Sequence, residues 1–137
     1  MFRTADAVGV SKIFLTGYTP SPLDSFWNFR KEISKTALGA EKYVPWEKIR
    51  YIVSLLRQLK KSKVQIVALE QSKDAIDYRK FKPRFPLALV LGNEVRGLSA
   101  ALLKKCGKVI YIPIYGKKES LNVSVAAGVA LFSLRGI

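Results

Sequence analysis

The sequence predicts an α/β fold with a mostly parallel sheet flanked by helices, and three observations carry that prediction. Two short apolar runs, Leu87 to Leu91 and Val109 to Ile114, are nearly free of alternation, as suits strands buried on both faces. Each ends in a polar turn, containing Gly92 or Gly116, that leads towards a helix. Strand-like and helix-like segments alternate along the whole chain. In open parallel sheets ligands sit beyond the carboxyl ends of the strands, so Gly92-Asn93-Glu94 and Tyr115-Gly116 are expected to line one site.

The elements follow in order. Phe2 to Val10 carries Ala5, Ala7 and Val8 at helical spacing, and Gly9 can end a short helix. Lys12 to Leu15 reads as a short strand, closed by the turn-rich stretch Thr16 to Pro22. Asp24 or Ser25 can cap a helix through Phe26 to Ile33. Lys35 to Pro45 is loop-like around Gly39, with Pro45 and Trp46 opening the next helix, which runs to about Lys61. Ile49, Ile52, Val53, Leu56 and Leu59 or Lys60 are its expected buried face. Arg50, Arg57, Lys60 and Lys61 project elsewhere as a basic face, which RNA contact and plain solvation explain equally well.

Val64 to Leu69 is the next buried strand, followed by the polar Glu70-Gln71-Ser72, and Asp74 to Tyr78 reads as a helical turn. Lys80 to Pro86 is a basic, aromatic, proline-bearing loop, suited to phosphate and base contacts or to packing at a subunit surface. Ser99 is a good cap for a helix from Ala100 to Lys105. The last helix, about Leu121 to Leu134, is apolar almost all round and so is expected to be buried on more than one side.

At 137 residues the chain is expected to form one domain with a sizeable core. Lys plus Arg number 24 against 10 Asp plus Glu, a formal charge of +14. That excess points to a polyanionic partner, of which nucleic acid is the commonest, with a generally basic proteome or solubilising surface lysines as the alternative. The single cysteine, Cys106, lies among Leu102, Leu103 and Val109 and reads as a buried thiol. It excludes an internal disulfide framework. With no histidine anywhere, Ser-His-Asp and Cys-His catalysis are excluded, and no metal site is expected. No segment reads as a membrane span or a signal peptide, so the expectation is a cytoplasmic protein with no membrane association.

Three ordered segments carry a more specific signal. They are Phe2-Arg-Thr-Ala-Asp-Ala-Val-Gly-Val10, Leu89-Val-Leu-Gly-Asn-Glu-Val-Arg-Gly-Leu-Ser99, and Ile112-Pro-Ile-Tyr-Gly continuing to Ser120-Leu-Asn-Val-Ser-Val-Ala126. Together they resemble the SpoU (TrmH-type) branch of the SPOUT RNA methyltransferases. Lys35-Thr-Ala-Leu-Gly-Ala40 is similar to the family's intermediate loop. The resemblance implies methyl transfer from S-adenosylmethionine to a ribose 2′-hydroxyl of tRNA or rRNA. It further implies an α/β fold with a C-terminal trefoil knot, a rare exception to unknotted connections. The family's homodimers hold cofactor in the knot near the subunit interface, which would account for the apolar last helix.

On this resemblance Leu69, Leu91, Gly92, Asn93, Ile112, Ile114, Gly116, Leu121 and Ser124 are the expected cofactor-binding residues. Physically, an adenine needs an apolar slot with hydrogen bonds to its edge, and small residues let backbone approach it. Core packing explains any one of the aliphatics; as a set along three strand ends they read as a pocket. The expected catalytic residues are Arg3, Glu94, Ser120 and Asn122. Arg3 matches the family's motif-one arginine and is read as a phosphate clamp orienting the ribose, since a guanidinium gives up its proton too reluctantly to be a good base. Asn93 and Glu94 pin loops or substrate, or simply close a turn. Ser120 can be a helix cap, whereas Asn122, read as lying inside an apolar helix, is expected to serve the site.

One departure stands out. In the family an Asn-x-Gly segment and a strand precede the arginine, whereas here Met1 lies two residues before Arg3. The expectation is therefore either a recorded start at an internal methionine or a shortened domain lacking that strand. It motivates an alternative reading, a catalytically impaired RNA-binding or dimerisation module.

Overall fold

The computed structural model describes residues 1–17, 39–93 and 96–136. The chain divides into two compact units, Met1–Ile52 and Val53–Ile137.

The first unit begins with α1 (Phe2–Val8), whose Phe2, Ala5 and Val8 are buried at the i, i+3, i+6 spacing of one helix face. Gly9 ends it in a left-handed conformation (φ 83°), donating to the Asp6 carbonyl, while Val10 donates to that of Ala5. This is the two-bond closure that favours glycine past a helix end. β1 (Ile13–Thr16) follows and pairs in parallel with β2 (Trp46–Ile49), Ile13 opposite Trp46 and Thr16 opposite Ile49. A 3-10 turn at Ala40–Lys42 precedes β2. Phe2, Ala5, Leu15, Ala40 and Val44 form the core, with Val10, Ile13 and Trp46 packed against it.

Here the structure corrects the sequence reading: Pro45 and Trp46 open a strand, not a helix. The Pro45 carbonyl accepts from Ile13 at 2.9 Å, and the ladder to β1 satisfies backbone groups that a helix would have satisfied internally. Trp46 and Ile49, an aromatic and a β-branched residue, suit a half-buried strand. The helix expected over Phe26 to Ile33 and the loop residues 35–38 lie outside the described residues.

The helix α2 (Ile52–Lys61), which from Val53 on belongs to the second unit, buries Leu55 and Leu56, and Ile52 and Leu59 are half-buried. The apolar stripe is thus turned by one residue from the one expected, and Val53 is exposed. The helix closes with the same two-bond motif as α1, Lys63 donating to Lys60 and Val64 to Leu59, both at 3.0 Å. Lys63 itself holds φ 60°, where a Cβ is unfavourable. Lys63→Gly is therefore expected to stabilise the fold by about 1 kcal/mol, read as a higher thermal midpoint. A lower midpoint would refute the strain.

The sheet of this unit is all parallel, in the order β4 (Ile76–Asp77), β6 (Lys108–Tyr111), β3 (Gln65–Leu69), β5 (Leu87–Leu91). Central β3 is the most buried strand, with Ile66, Val67 and Ala68 at 2%, 0% and 0% exposure. Val67, Ile110 and Ala130 centre the core, Ala130 coming from the last helix α4 (Val123–Arg135). Ser99 caps α3 (Ala100–Lys105) as expected, accepting from the Leu102 N–H. Cys106 is buried, and burial pushes its thiol pKa up, as befits a packing residue.

Three further expectations are corrected. Asp74 to Tyr78 contains the short edge strand β4 rather than a helical turn, because Ile76 and Asp77 pair with Ile110 and Tyr111. Arg79 clamps the exit of that strand with hydrogen bonds to Asp77 and holds its carboxyl down at about 2. The strand expected to reach Ile114 ends at Tyr111, beyond which β4 has no partner residues to offer. The last helix is buried on one side only within this chain, with Val125 and Phe132 exposed at 54% and 38%. Among the described residues no helix is long and apolar enough to cross a membrane.

Candidate functional site

Parallel pairing brings the carboxyl ends of β3, β5 and β6 to one edge of the second unit. A cleft of about 370 Å³ opens there, within the size range of small-molecule sites. Leu69, Leu91, Ile112, Ile114 and Leu121 supply its apolar lining, and Gly92, Asn93 and Ser120 its small and polar lining.

The central strand ties both walls together. Glu70 follows β3, and its carboxylate accepts from Leu98 N–H through Oε2 and from Gln71 N–H through Oε1, both at 2.9 Å. Gln71 Nε2 donates to the Ile112 carbonyl at 2.8 Å. Glu70 therefore holds the turn after β5, and Gln71 holds the segment after β6. Hydrogen bonds to an ionised carboxylate are stronger than neutral ones, so the turn is held by the more robust of the two.

The turn itself is compact. Gly97 donates to the Asn93 carbonyl at 2.7 Å, and the Arg96 N–H to Asn93 Oδ1 at 3.3 Å. Gly92 sits against its far side: a Cβ there would lie 2.6 Å from the Gly97 carbonyl carbon and 2.8 Å from the Leu98 nitrogen. Gly97 holds φ 64° with Glu70 Oε2 only 2.5 Å from where its Cβ would be. Gly92 is demanded by close approach to backbone, and Gly97 by its left-handed conformation.

Of the sequence-derived cofactor residues, Leu69, Leu91, Gly92, Asn93, Ile112, Ile114 and Leu121 line this cleft, whereas Gly116 and Ser124 do not. Gly116 is exposed, and a Cβ added to it would meet nothing within 4 Å. Ser124 lies in the first turn of α4 with its N–H taken by Asn122. Of the expected catalytic residues, Ser120 lines the cleft, and Glu94 lies outside the described residues. Arg3 is exposed on α1 of the first unit.

Asn122 is not inside the helix as expected. It is the N-cap, its Oδ1 accepting from Ser124 N–H (2.9 Å) and Val125 N–H (3.4 Å). Capping thus accounts for an asparagine here. Asn122→Ala is expected to cost about 1 kcal/mol in a denaturation midpoint series. Sequence reasoning missed Glu70, Gln71, Arg96 and Gly97 as site residues. A polar pair directly after a buried strand was the available signal for the first two. Among the described residues no group of three or more His, Cys, Asp or Glu could hold a metal ion.

With this geometry the chain can be set beside known proteins. The sequence profile described as the SpoU rRNA Methylase family matches residues 1–132. The chain is 37% identical over 130 residues to tRNA (guanosine(18)-2'-O)-methyltransferase of Aquifex aeolicus, covering 95% of this chain and 58% of that protein. It is 34% identical over 136 residues to 23S rRNA (guanosine(2553)-2'-O)-methyltransferase RlmP of Bacillus subtilis, covering 99% and 52%. Among solved structures, the A. aeolicus TrmH/SpoU tRNA modifying enzyme superposes with a TM-score of 0.83 at 33% identity, over 98% of this chain and 65% of that one. An AdoMet-bound rRNA methyltransferase from Sinorhizobium meliloti gives 0.85 at 31% identity, over 98% and 49%. The chain spans about half the length of the curated relatives it matches.

Proposed function

The chain belongs to the SpoU rRNA methylase family, and on that premise we propose that it is an S-adenosylmethionine-dependent methyltransferase acting on a ribose 2′-hydroxyl of tRNA or rRNA. The observation that carries this reading is the cleft at three parallel strand ends, where apolar side chains and a close-packed glycine turn meet. The family match runs through both compact units, which supports reading residues 1–137 as one methyltransferase domain.

The lining fits the cofactor. Leu69, Leu91, Ile112 and Leu121 offer the apolar slot an adenine requires, and Gly92 and Asn93 offer backbone groups at its edge. When bound, S-adenosylmethionine supplies a methyl group on a sulfonium whose departure needs no acid. The protein's task is then mainly to orient the attacking hydroxyl and exclude alternatives. Arg3 holds a phosphate of the RNA and thereby sets the ribose, a role suited to a guanidinium that stays charged. Ser120 at the cleft, with Glu94 after the Gly92-Asn93 turn, contacts substrate or the loops that position it. Asn122 serves this loop by fixing the start of α4.

The protein acts as a homodimer. Leu121, Val125 and Phe132 form an exposed apolar set at and along α4, 41%, 54% and 38% accessible, which a second subunit would remove from water. Sedimentation equilibrium yielding only monomer would refute the dimer. Isothermal titration calorimetry with S-adenosylmethionine tests the central claim: saturable binding by the folded chain is expected, and its absence overturns the enzyme reading.

A further inference from the structure

A second cleft lies at the other end of the same sheet. Its volume is about 460 Å³, and Lys60, Lys63, Arg84 and Lys108 line it beside Gln65 and Gly107. β3 and β6 are parallel, so this cleft opens where both strands begin, while the proposed cofactor cleft opens where they end. The four-residue advance from Gln65 to Leu69 corresponds to about 13 Å along β3.

All four cations are exposed, and no acidic residue lines the cleft. The ion pairs among the described residues involve Lys12 and Arg79, not these four. Like charges gathered without counter-charges oppose folding, so their convergence calls for a ligand that repays it. Lys63 sharpens the point, because it stands on a left-handed backbone that glycine would adopt with less strain. The loop carrying Arg84 is held by its own N–H, which donates to Gln65 Oε1 at 2.8 Å. The next residue, Phe85, is 57% exposed. Cations in a concavity, with an exposed ring on the residue that follows one of them, suit a phosphate backbone with an unstacked base.

We propose that this basic cleft is a second RNA-binding site, which grips the phosphate backbone away from the methyl-transfer cleft and stacks a base on Phe85. The proposal rests on RNA being the substrate. Its test uses the full chain, with Lys60, Lys63, Arg84 and Lys108 all changed to Gln, and fluorescence anisotropy with total transfer RNA and poly(U). Affinity at 0.15 M salt is expected to fall on the order of a hundredfold, and the slope of log affinity against log salt to shrink by about 3. S-adenosylmethionine affinity should stay within about twofold, reporting an intact fold. Lys63→Gly should also weaken RNA binding while raising the thermal midpoint, a combination that unfolding cannot produce. Unchanged RNA affinity and salt slope in the fourfold variant would overturn the proposal. So would loss of binding to phosphatidylglycerol vesicles with RNA binding retained. A wild-type chain that binds cofactor but no RNA would instead overturn the RNA-substrate reading on which the proposal stands.

Discussion

Gly92→Ala is expected to weaken S-adenosylmethionine binding at least about tenfold, or roughly 1.4 kcal/mol. The added methyl would meet the backbone of Gly97 and Leu98 at 2.6 and 2.8 Å, and backbone cannot swing aside as a side-chain end can. The turn must move, and with it the Leu98 N–H that Glu70 holds at 2.9 Å. Overpacking of this kind typically costs about 1–3 kcal/mol of stability as well. Gly97→Ala meets a different obstacle: the Glu70 carboxylate can rotate away, but the positive φ and the lost hydrogen bond remain. Gly116→Ala is the matched control, with open space and no positive φ, and should change stability by less than about 0.5 kcal/mol. Calorimetry on the three variants decides the matter. Equal affinities for Gly92→Ala and Gly116→Ala would mean that the turn does not form the cofactor's wall.

Arg3→Ala should leave cofactor affinity within about twofold and lower methyl transfer by on the order of a hundredfold or more. The logic is that of a group used to orient the attacking ribose rather than to hold the cofactor, so its loss removes reaction geometry and not ground-state cofactor binding. Arg3 is exposed and does not belong to the buried set Phe2, Ala5 and Val8, so truncation should spare the helix that carries it. Lysine restores the charge but not the planar fork, and Arg3→Lys is expected to recover only part of the rate. Transfer of labelled methyl to total transfer or ribosomal RNA provides the assay. A wild-type rate in Arg3→Ala would remove the residue from the mechanism.

Motif order and local chemistry make much of the fold legible in the sequence. Ser99 before Ala100, Gly9 after Val8 and the unalternating run Leu87 to Leu91 each satisfy a local requirement, so each is readable from a few neighbours. The corrections fall where a distant partner decides. Trp46 to Ile49 has apolar residues that continue a helical stripe into Ile52, yet it is a strand because β1 offers it a ladder. Ile76 and Asp77 are extended for the same reason, beside β6. Asn122 differs from expectation by a shift of the helix boundary, the least determined feature of a helical pattern.

The same division runs through the site. By itself the sequence determined the family, through three ordered motifs, and the strand ends at which a ligand would sit, because parallel α/β order dictates that edge. It also determined the basic balance that makes an anionic partner expected. Only the tertiary structure decided that Glu70 and Gln71 clip both walls of the cleft, since Leu98 and Ile112 stand 28 and 41 residues away in the chain. It alone gathered Lys60, Lys63, Arg84 and Lys108 into one concavity, from a helix end, a loop and a strand start. Local propensity acts over a few residues, whereas hydrogen-bond partners and charge neighbours are set by which strands lie side by side.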